Sequence, residues 1–238
     1  MSAGPAVAAR QERIRALLKA SARPENLASM ARLIPDTKLL GVRVPEIRRL
    51  AAKWAQDDPL TFPATLQLFD SLCADQLREE ILMGIFLLAR HKKHLREIQW
   101  SAIDGWLDHI DNWETCDQLA SNVVAAAVAA NADLRAPLRG LTRSPNAWRK
   151  RFAVATAASL NQHGRFFPEL TLTICQDLMA EGNPAIRKVV GWALRELSKK
   201  SEDIAFEFLW EHRRNMPRSL LREASEKLTA ARRSTLLA

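Results

Sequence analysis

Hydrophobic residues recur along the chain at intervals of three and four, as in LFDSLCADQLREEILMGIFLLA (68–89). That interval places apolar side chains on one face of an α-helix, and no window shows the sustained period of two that a strand requires. Prolines fall between these windows, at Pro45, Pro59, Pro63, Pro137, Pro145, Pro168, Pro184 and Pro217. The pattern predicts an all-α protein of helices about 12 to 18 residues long. Because no long polar linker interrupts it, we expect one continuous domain over residues 1–238, with residues 1–12 frayed.

Two segments of the chain resemble each other, SPNAWRKRFAVATAASL (144–160) and GNPAIRKVVGWALREL (182–197). Trp148-Arg149-Lys150 aligns with Ile186-Arg187-Lys188 at an offset of 38 residues, and Trp113 precedes Trp148 by 35. Repeats of this length are typical of helix pairs that bury their apolar faces by stacking on their neighbours. The sequence therefore predicts an α-solenoid of about six helix pairs with a concave face.

The charge balance points to a polyanionic partner. Lys and Arg number 35 against 27 Asp and Glu, which gives a formal net charge of +8. Nucleic acid is the most common partner of so basic a chain, although a merely basic surface is the alternative. In a solenoid, the repeated Arg149, Lys150 and Arg151 would share one face with Arg187 and Lys188. Such a cationic track would hold a phosphate backbone, whereas a solvated outer face explains the same spacing.

Composition also narrows the class of protein. Hydrophobic residues at 47% and charged residues at 26% indicate a globular chain. The apolar runs at 81–89 and 123–130 are too short to span a bilayer, and the first residues lack the core of a secretory signal. Three isolated cysteines, in no metal or disulfide spacing, favour a reducing cytoplasm. Without a phosphate-binding loop or metalloprotease motif, we expect neither a metal nor a cofactor.

The most informative short stretch is DNWETCDQLA (111–120). Asp111-x-x-Glu114 matches a capping box that opens a helix, which places Trp113 in the first turn and Asp117 in the second. Residues four apart share one helix face, so an aromatic ring and an anion would lie side by side. Asn146 is the expected cap of a later helix with a similar start.

Trp192 would lie on one helix face with Lys188 and Arg195, and the neighbouring Gly191 would leave room for a close approach. Each of these features also has a structural explanation. A lone Asp is most often solvated, and a Trp in a helical solenoid most often belongs to the core. We expect a core position for Trp54, Trp100, Trp106, Trp148 and Trp210.

The chain resembles the DNA alkylation repair family of AlkD-like HEAT-repeat DNA glycosylases. The resemblance spans roughly residues 25–225 and rests on KLLGVRVPEIRRLAAKW (38–54), NWETCDQLA (112–120), WRKRFAVA (148–155) and IRKVVGWALRELSKK (186–200). It implies a HEAT-like solenoid that wraps duplex DNA and cleaves the N-glycosidic bond of alkylated bases. The family's functional positions are matched by Trp113, Asp117, Arg151 and Trp192. One position departs from the pattern, because Leu33 stands where the archetype carries an aromatic residue.

These residue types suit the implied reaction. A purine methylated at N3 or N7 is cationic and leaves without a general acid. One carboxylate, Asp117, would then stabilise the positive charge that develops on the sugar and position the attacking water. The Trp113 and Trp192 rings would hold the cationic nucleotide, and Arg151 would bind a nearby phosphate. The other cations expected to contact DNA are Arg149, Lys150, Arg187, Lys188 and Arg195.

The expected partner is double-stranded DNA containing alkylated bases, bound by a monomer that is cytoplasmic and associated with the nucleoid when it acts. The alternative is a helical-repeat scaffold that binds DNA or a protein without catalysis, since most helical repeats are interaction platforms.

Overall fold

A computed structural model describes residues 4–238 of the chain and shows an all-α fold, which confirms the predicted fold class. The described residues form two compact units, one ending at Val123 and the other beginning at Val124. The helices of unit 1 are α1 (Pro5–Ala20), α2 (Pro24–Leu33), α3 (Val44–Asp57), α4 (Phe62–Ala74), α5 (Arg78–Leu88), α6 (Trp100–Leu107) and α7 (Trp113–Leu119). A 3₁₀ turn at Leu95–Glu97 precedes α6, and a π-helical turn spans Ala120–Val124.

The helices of unit 2 are α8 (Ala125–Ala130), α9 (Arg135–Gly140), α10 (Ala147–Ser159), α11 (Pro168–Leu178), α12 (Pro184–Ser198), α13 (Glu202–His212), α14 (Arg218–Ala224) and α15 (Ala230–Leu237). Two 3₁₀ turns flank α9, at Ala132–Leu134 and Leu141–Arg143. The prediction of one continuous domain stays a prediction. Of the segment expected to fray, residues 1–3 lie outside the described part, and helix α1 begins at Pro5.

Prolines and asparagines open many of these helices. Proline occupies the first turn of α1, α2, α3, α4, α11 and α12, where its missing N–H breaks no helical hydrogen bond. Asn112, Asn146 and Asn183 cap α7, α10 and α12 through their side-chain oxygens. Proline and asparagine therefore mark helix starts as predicted, and the Asn146 cap is confirmed. The predicted length of 12 to 18 residues is wrong for several helices, since α8 and α9 each have only 6 residues.

Alternate helices stack in each unit, as expected of a helical-repeat solenoid. In unit 1, α5 packs against α3, α4 and α7, and every residue of α5 is buried. In unit 2, α12 packs against α10 and α14, with α11 and α13 alongside. The caps of α7, α10 and α12 follow one another at intervals of 34 and 37 residues. By this register Lys150 corresponds to Arg187, one residue away from the alignment that the sequence suggested.

The tryptophans follow the core prediction only in part. Trp54 and Trp106 are buried, Trp100 and Trp148 are half-buried, and Trp210 is exposed. The core assignment of Trp210 is therefore wrong. Its ring instead lies at the surface with the Arg213 guanidinium 3.6 Å above it.

The three cysteines are buried thiols, and burial raises the pKa of the Cys73 and Cys175 thiols. In the part of the chain that the structure describes, no helix has the length and apolar character that a membrane span requires. No cluster of three potential metal ligands forms among residues 4–238.

Candidate functional site

Helix α7 begins one residue later than the sequence suggested, because Asn112 rather than Asp111 is its cap. The Asn112 Oδ1 accepts hydrogen bonds from the Glu114 and Thr115 amides at 3.1 and 3.0 Å. Its Nδ2 donates to the Asp111 carboxylate at 2.8 Å, which fixes the orientation of the capping amide. The capping box is therefore wrong in detail, but Trp113 still opens the helix.

Trp113 lies at the surface, since 40% of the residue is exposed. Its indole Nε1 donates to the Leu33 carbonyl oxygen at 3.2 Å, so one edge of the ring is held. Leu33 is 67% exposed at the end of α2. The two side chains border a groove of about 290 Å³. The other residues that line it are Ser29, Met30, Ile34, Arg43, Val44, Pro45, Arg78 and Glu114.

Asp117 lies one turn after Trp113 on α7 and is half-buried, as the four-residue spacing predicted. A π-helical turn, Ala120–Val124, follows α7, and such turns are common at functional sites. Within this turn, the Asn122 Nδ2 donates to the Gln118 carbonyl at 2.8 Å.

Arg48 is a cation beside this turn that the sequence analysis missed. It donates to the Gln118 Oε1 at 2.7 Å and to the Asn122 Oδ1 at 3.2 Å. Its guanidinium lies 4.0 Å from the centre of the Phe86 ring, and desolvation lowers its pKa. Arg48 belongs to the stretch 38–54 that carried the family resemblance, but nothing in its spacing relates it to α7.

Arg78 and Glu114 form a second contact that the sequence did not indicate. Glu114, expected in the capping box, accepts a hydrogen bond from the Arg78 Nε. Arg78 is only 1% exposed, so a buried cation of α5 reaches the first turn of α7.

The basic residues of α10 are engaged in contacts within the protein. The Lys150 Nζ lies 2.6 Å from the Glu181 carboxylate, and this hydrogen bond is the main reason that the pKa of Glu181 is lowered. Arg151 is buried, and its Nη1 donates to the Ala185 carbonyl at 3.1 Å. Arg149 is half-buried. The predicted phosphate contacts of these residues stay predictions, and the structure gives Lys150 and Arg151 partners in the protein.

Helix α12 carries the remaining predicted residues. Trp192 is half-buried and Lys188 is exposed. Gly191 allows the close approach that the sequence predicted, since a Cβ there would lie 2.7 Å from the Glu223 Cγ of α14. Arg195 forms ion pairs with Glu226 at 2.7 Å and with Glu223 at 3.6 Å.

The structure thus brings the predicted residues together in two groups, each within its own unit. Trp113 and Asp117 share α7 of unit 1, whereas the remaining predicted residues belong to unit 2. Among the described residues of the predicted cationic track, Arg187 and Lys188 have no ion-pair partner. Lys188 is exposed and Arg187 is half-buried, so neither charge has to leave a carboxylate in order to contact a phosphate backbone.

Comparisons with known proteins agree with the earlier resemblance. The model of a family described as "DNA alkylation repair enzyme" matches residues 14–228. No curated protein matches the chain. Among solved structures, the chain is similar to a predicted DNA alkylation repair enzyme from Enterococcus faecalis, with a TM-score of 0.72 and 18% sequence identity. That match covers 88% of this chain and 98% of the other, and it shows a shared fold.

Proposed function

The chain belongs to the DNA alkylation repair enzyme family, and on that premise we propose that it is a monofunctional DNA glycosylase. Membership places it in the repair of alkylation damage to DNA. The proposed reaction is hydrolysis of the N-glycosidic bond of cationic purines alkylated at N3 or N7 in duplex DNA.

The observation that carries the proposal is the pairing of an exposed aromatic ring with an acid on α7. Trp113 is held at its indole edge by the Leu33 carbonyl and remains 40% exposed. Asp117 follows one helical turn later, so its carboxylate projects from the same side of the helix. Purely structural roles would instead place the Trp113 ring in the core and leave Asp117 in solvent. The structure has Trp113 exposed and Asp117 half-buried.

The chemistry follows from the charge of the substrate. An N3- or N7-alkylated purine carries a positive charge and departs as a neutral base. Positive charge then moves to the sugar, where the Asp117 carboxylate stabilises it and orients the attacking water. The exposed face of Trp113 attracts the same cationic nucleotide, an interaction of about 0.5 to 2 kcal/mol. For Trp192, a contact with the nucleotide stays a prediction from the sequence.

The basic residues of unit 2 supply the proposed affinity for DNA. Lys188 and Arg187 are the first candidates because their charges are not matched within the described protein. Lys150 and Arg195 contribute by exchanging a carboxylate partner for a phosphate, which reduces their net contribution. Arg151, bound to the Ala185 carbonyl, would contact phosphate from a fixed position.

The test is release of free base from a methylated duplex, measured in single turnover with protein in excess. The glycosylase proposal is supported if the wild-type protein releases 7-methylguanine and the Asp117→Asn variant binds the duplex but releases no base. Tight binding of the duplex without any release would instead support a non-catalytic DNA-binding scaffold.

A further inference from the structure

A buried charge cluster lies at the start of α5, where Arg78 and Glu79 are almost fully excluded from solvent. The Arg78 Nη1 donates to the Glu79 carboxylate at 2.9 Å and to the Val42 carbonyl at 3.0 Å, while its Nε donates to Glu114. A buried cation is tolerated only when its donors are satisfied in this way. The cluster therefore fixes its partners relative to α5.

One arm of the cluster holds the segment before α3. The Glu79 carboxylate accepts the backbone amides of Leu40 and Gly41 at 3.0 Å and of Val42 at 3.2 Å. Gly41 has a φ of +90°, and a Cβ there would lie 2.8 Å from the Arg23 carbonyl. The segment is thus held by Glu79 on one side and packs closely against α2 and its cap on the other.

The other arm of the cluster holds α7. Glu114, adjacent to Trp113 in the first turn, accepts from Arg78, and the Trp113 indole donates to the Leu33 carbonyl. The first turn of α7 is thus tied at two points, to α5 and to the end of α2. A rotation of α7 about its axis would break both ties, and it would carry Asp117 with it.

We propose that Arg78 is a positioning residue that sets the orientation of Trp113 and Asp117 through Glu114. This inference rests on the proposed function for its catalytic consequence, and on the contacts of α5 with α7 for its structural one. Arginine is required here because its planar fork reaches three acceptors in different directions. The single ammonium of lysine has no such fork.

The experiment compares two disruptive variants with two matched controls. Arg78→Lys keeps the buried charge but loses the fork, and Glu114→Ala removes only the acceptor on α7. Arg15→Lys is the first control, since Arg15 pairs with the neighbouring buried Glu80 but lies on α1. Glu46→Ala is the second, since Glu46 is a first-turn acid of α3 whose partner, Arg49, lies on its own helix.

Two measurements are made well below the midpoint of thermal unfolding of each variant. The first is hydrogen exchange of the Trp113 indole N–H, followed by NMR and assigned with Trp113→Phe. The second is single-turnover release of 7-methylguanine together with the Kd for the methylated duplex. We expect both disruptive variants to exchange this proton at least about tenfold faster. We expect release to slow at least about tenfold with Kd changed less than about twofold.

The two readouts separate the inference from the function on which it rests. Faster indole exchange in Arg78→Lys and Glu114→Ala, but in neither control, supports the positioning role even if the wild type releases no base. Unchanged exchange in Glu114→Ala overturns it, whatever happens to release. Equal slowing of release in the two controls also overturns it, because the effect would then be a general loss of stability. If Arg78→Lys fails to fold, Glu114→Ala decides alone.

Discussion

Replacing the Asp117 carboxylate with the amide of asparagine is the most direct test of its proposed chemical role. The two side chains have nearly the same size and shape, so the substitution removes charge without creating a cavity. Asp117 lies in the second turn of α7, half-buried and away from the cap that Asn112 provides. We therefore expect helix α7 to keep its start and the protein to bind duplex DNA with unchanged or slightly higher affinity.

The expected loss of rate follows from the position of the charge. For a half-buried carboxylate an effective dielectric near 20 applies, and a unit charge about 5 Å away then contributes about 3 kcal/mol. That energy corresponds to a rate factor on the order of 10², within the range of about 10²–10³ typical of one preorganised electrostatic group. Asp117→Asn should accordingly release 7-methylguanine about a hundredfold or more slowly.

The assay is single-turnover release from a duplex with one 7-methylguanine, with protein in excess of the measured Kd. Asp133→Asn is the matched control, because Asp133 is an exposed aspartate of unit 2 and its substitution removes the same charge. Retention of more than about half of the wild-type rate in Asp117→Asn would refute the catalytic assignment. A similar loss in both variants would attribute the effect to net charge rather than to Asp117.

Salt dependence, the charge of the lesion and the packing around Gly191 provide further tests. Lys188→Ala should flatten the slope of the logarithm of the DNA-binding constant against the logarithm of salt concentration by up to about one unit. Lys150→Ala should change this slope less, because Glu181 already neutralises Lys150. Equal changes in the two variants would contradict the different roles assigned to these lysines. Hypoxanthine and uracil are neutral bases, and the proposed site offers no general acid to protonate them. Their release from duplex DNA should therefore be at least about a hundredfold slower than release of 7-methylguanine. Comparable rates would exclude a one-carboxylate mechanism. Gly191→Ala should lower the free energy of unfolding measured in urea by about 1 to 3 kcal/mol, because the added Cβ would lie 2.7 Å from the Glu223 Cγ. Adding Glu223→Ala should recover part of that loss. An unchanged urea midpoint in Gly191→Ala would show that α14 shifts without cost to make room for the methyl group.

Features that depend on neighbouring residues in the chain could be predicted from the sequence. The helix starts at proline and asparagine, and the shared face of Trp113 and Asp117, follow from local geometry that one turn of helix determines. The sequence places the cap of α7 one residue too early, because Asp111 and Asn112 both suit that position. Only the structure shows that Asp111 instead orients the Asn112 amide.

Long-range partners could not be predicted in this way. Lys150 follows an arginine as Lys188 does, and Arg195 lies on the same helix as Lys188. Carboxylates more than 25 residues away nevertheless neutralise Lys150 and Arg195. Arg78 lies in a charged stretch just before an apolar run, and its ties to Val42 and Glu114 depend on how α5 packs against α3 and α7. Ion pairs of this kind are set by tertiary packing, so a single sequence carries no spacing that reveals them.

The burial of the three thiols has a consequence for a member of a family that repairs alkylation damage. Thiolates are the most nucleophilic groups that a protein offers to such agents. Cys73 and Cys175 lie in the core with raised pKa values, and Cys116 is fully buried one residue before Asp117. The folded protein therefore offers the electrophile no ready thiolate, and exposure to the agent that damages DNA should leave its own cysteines unmodified.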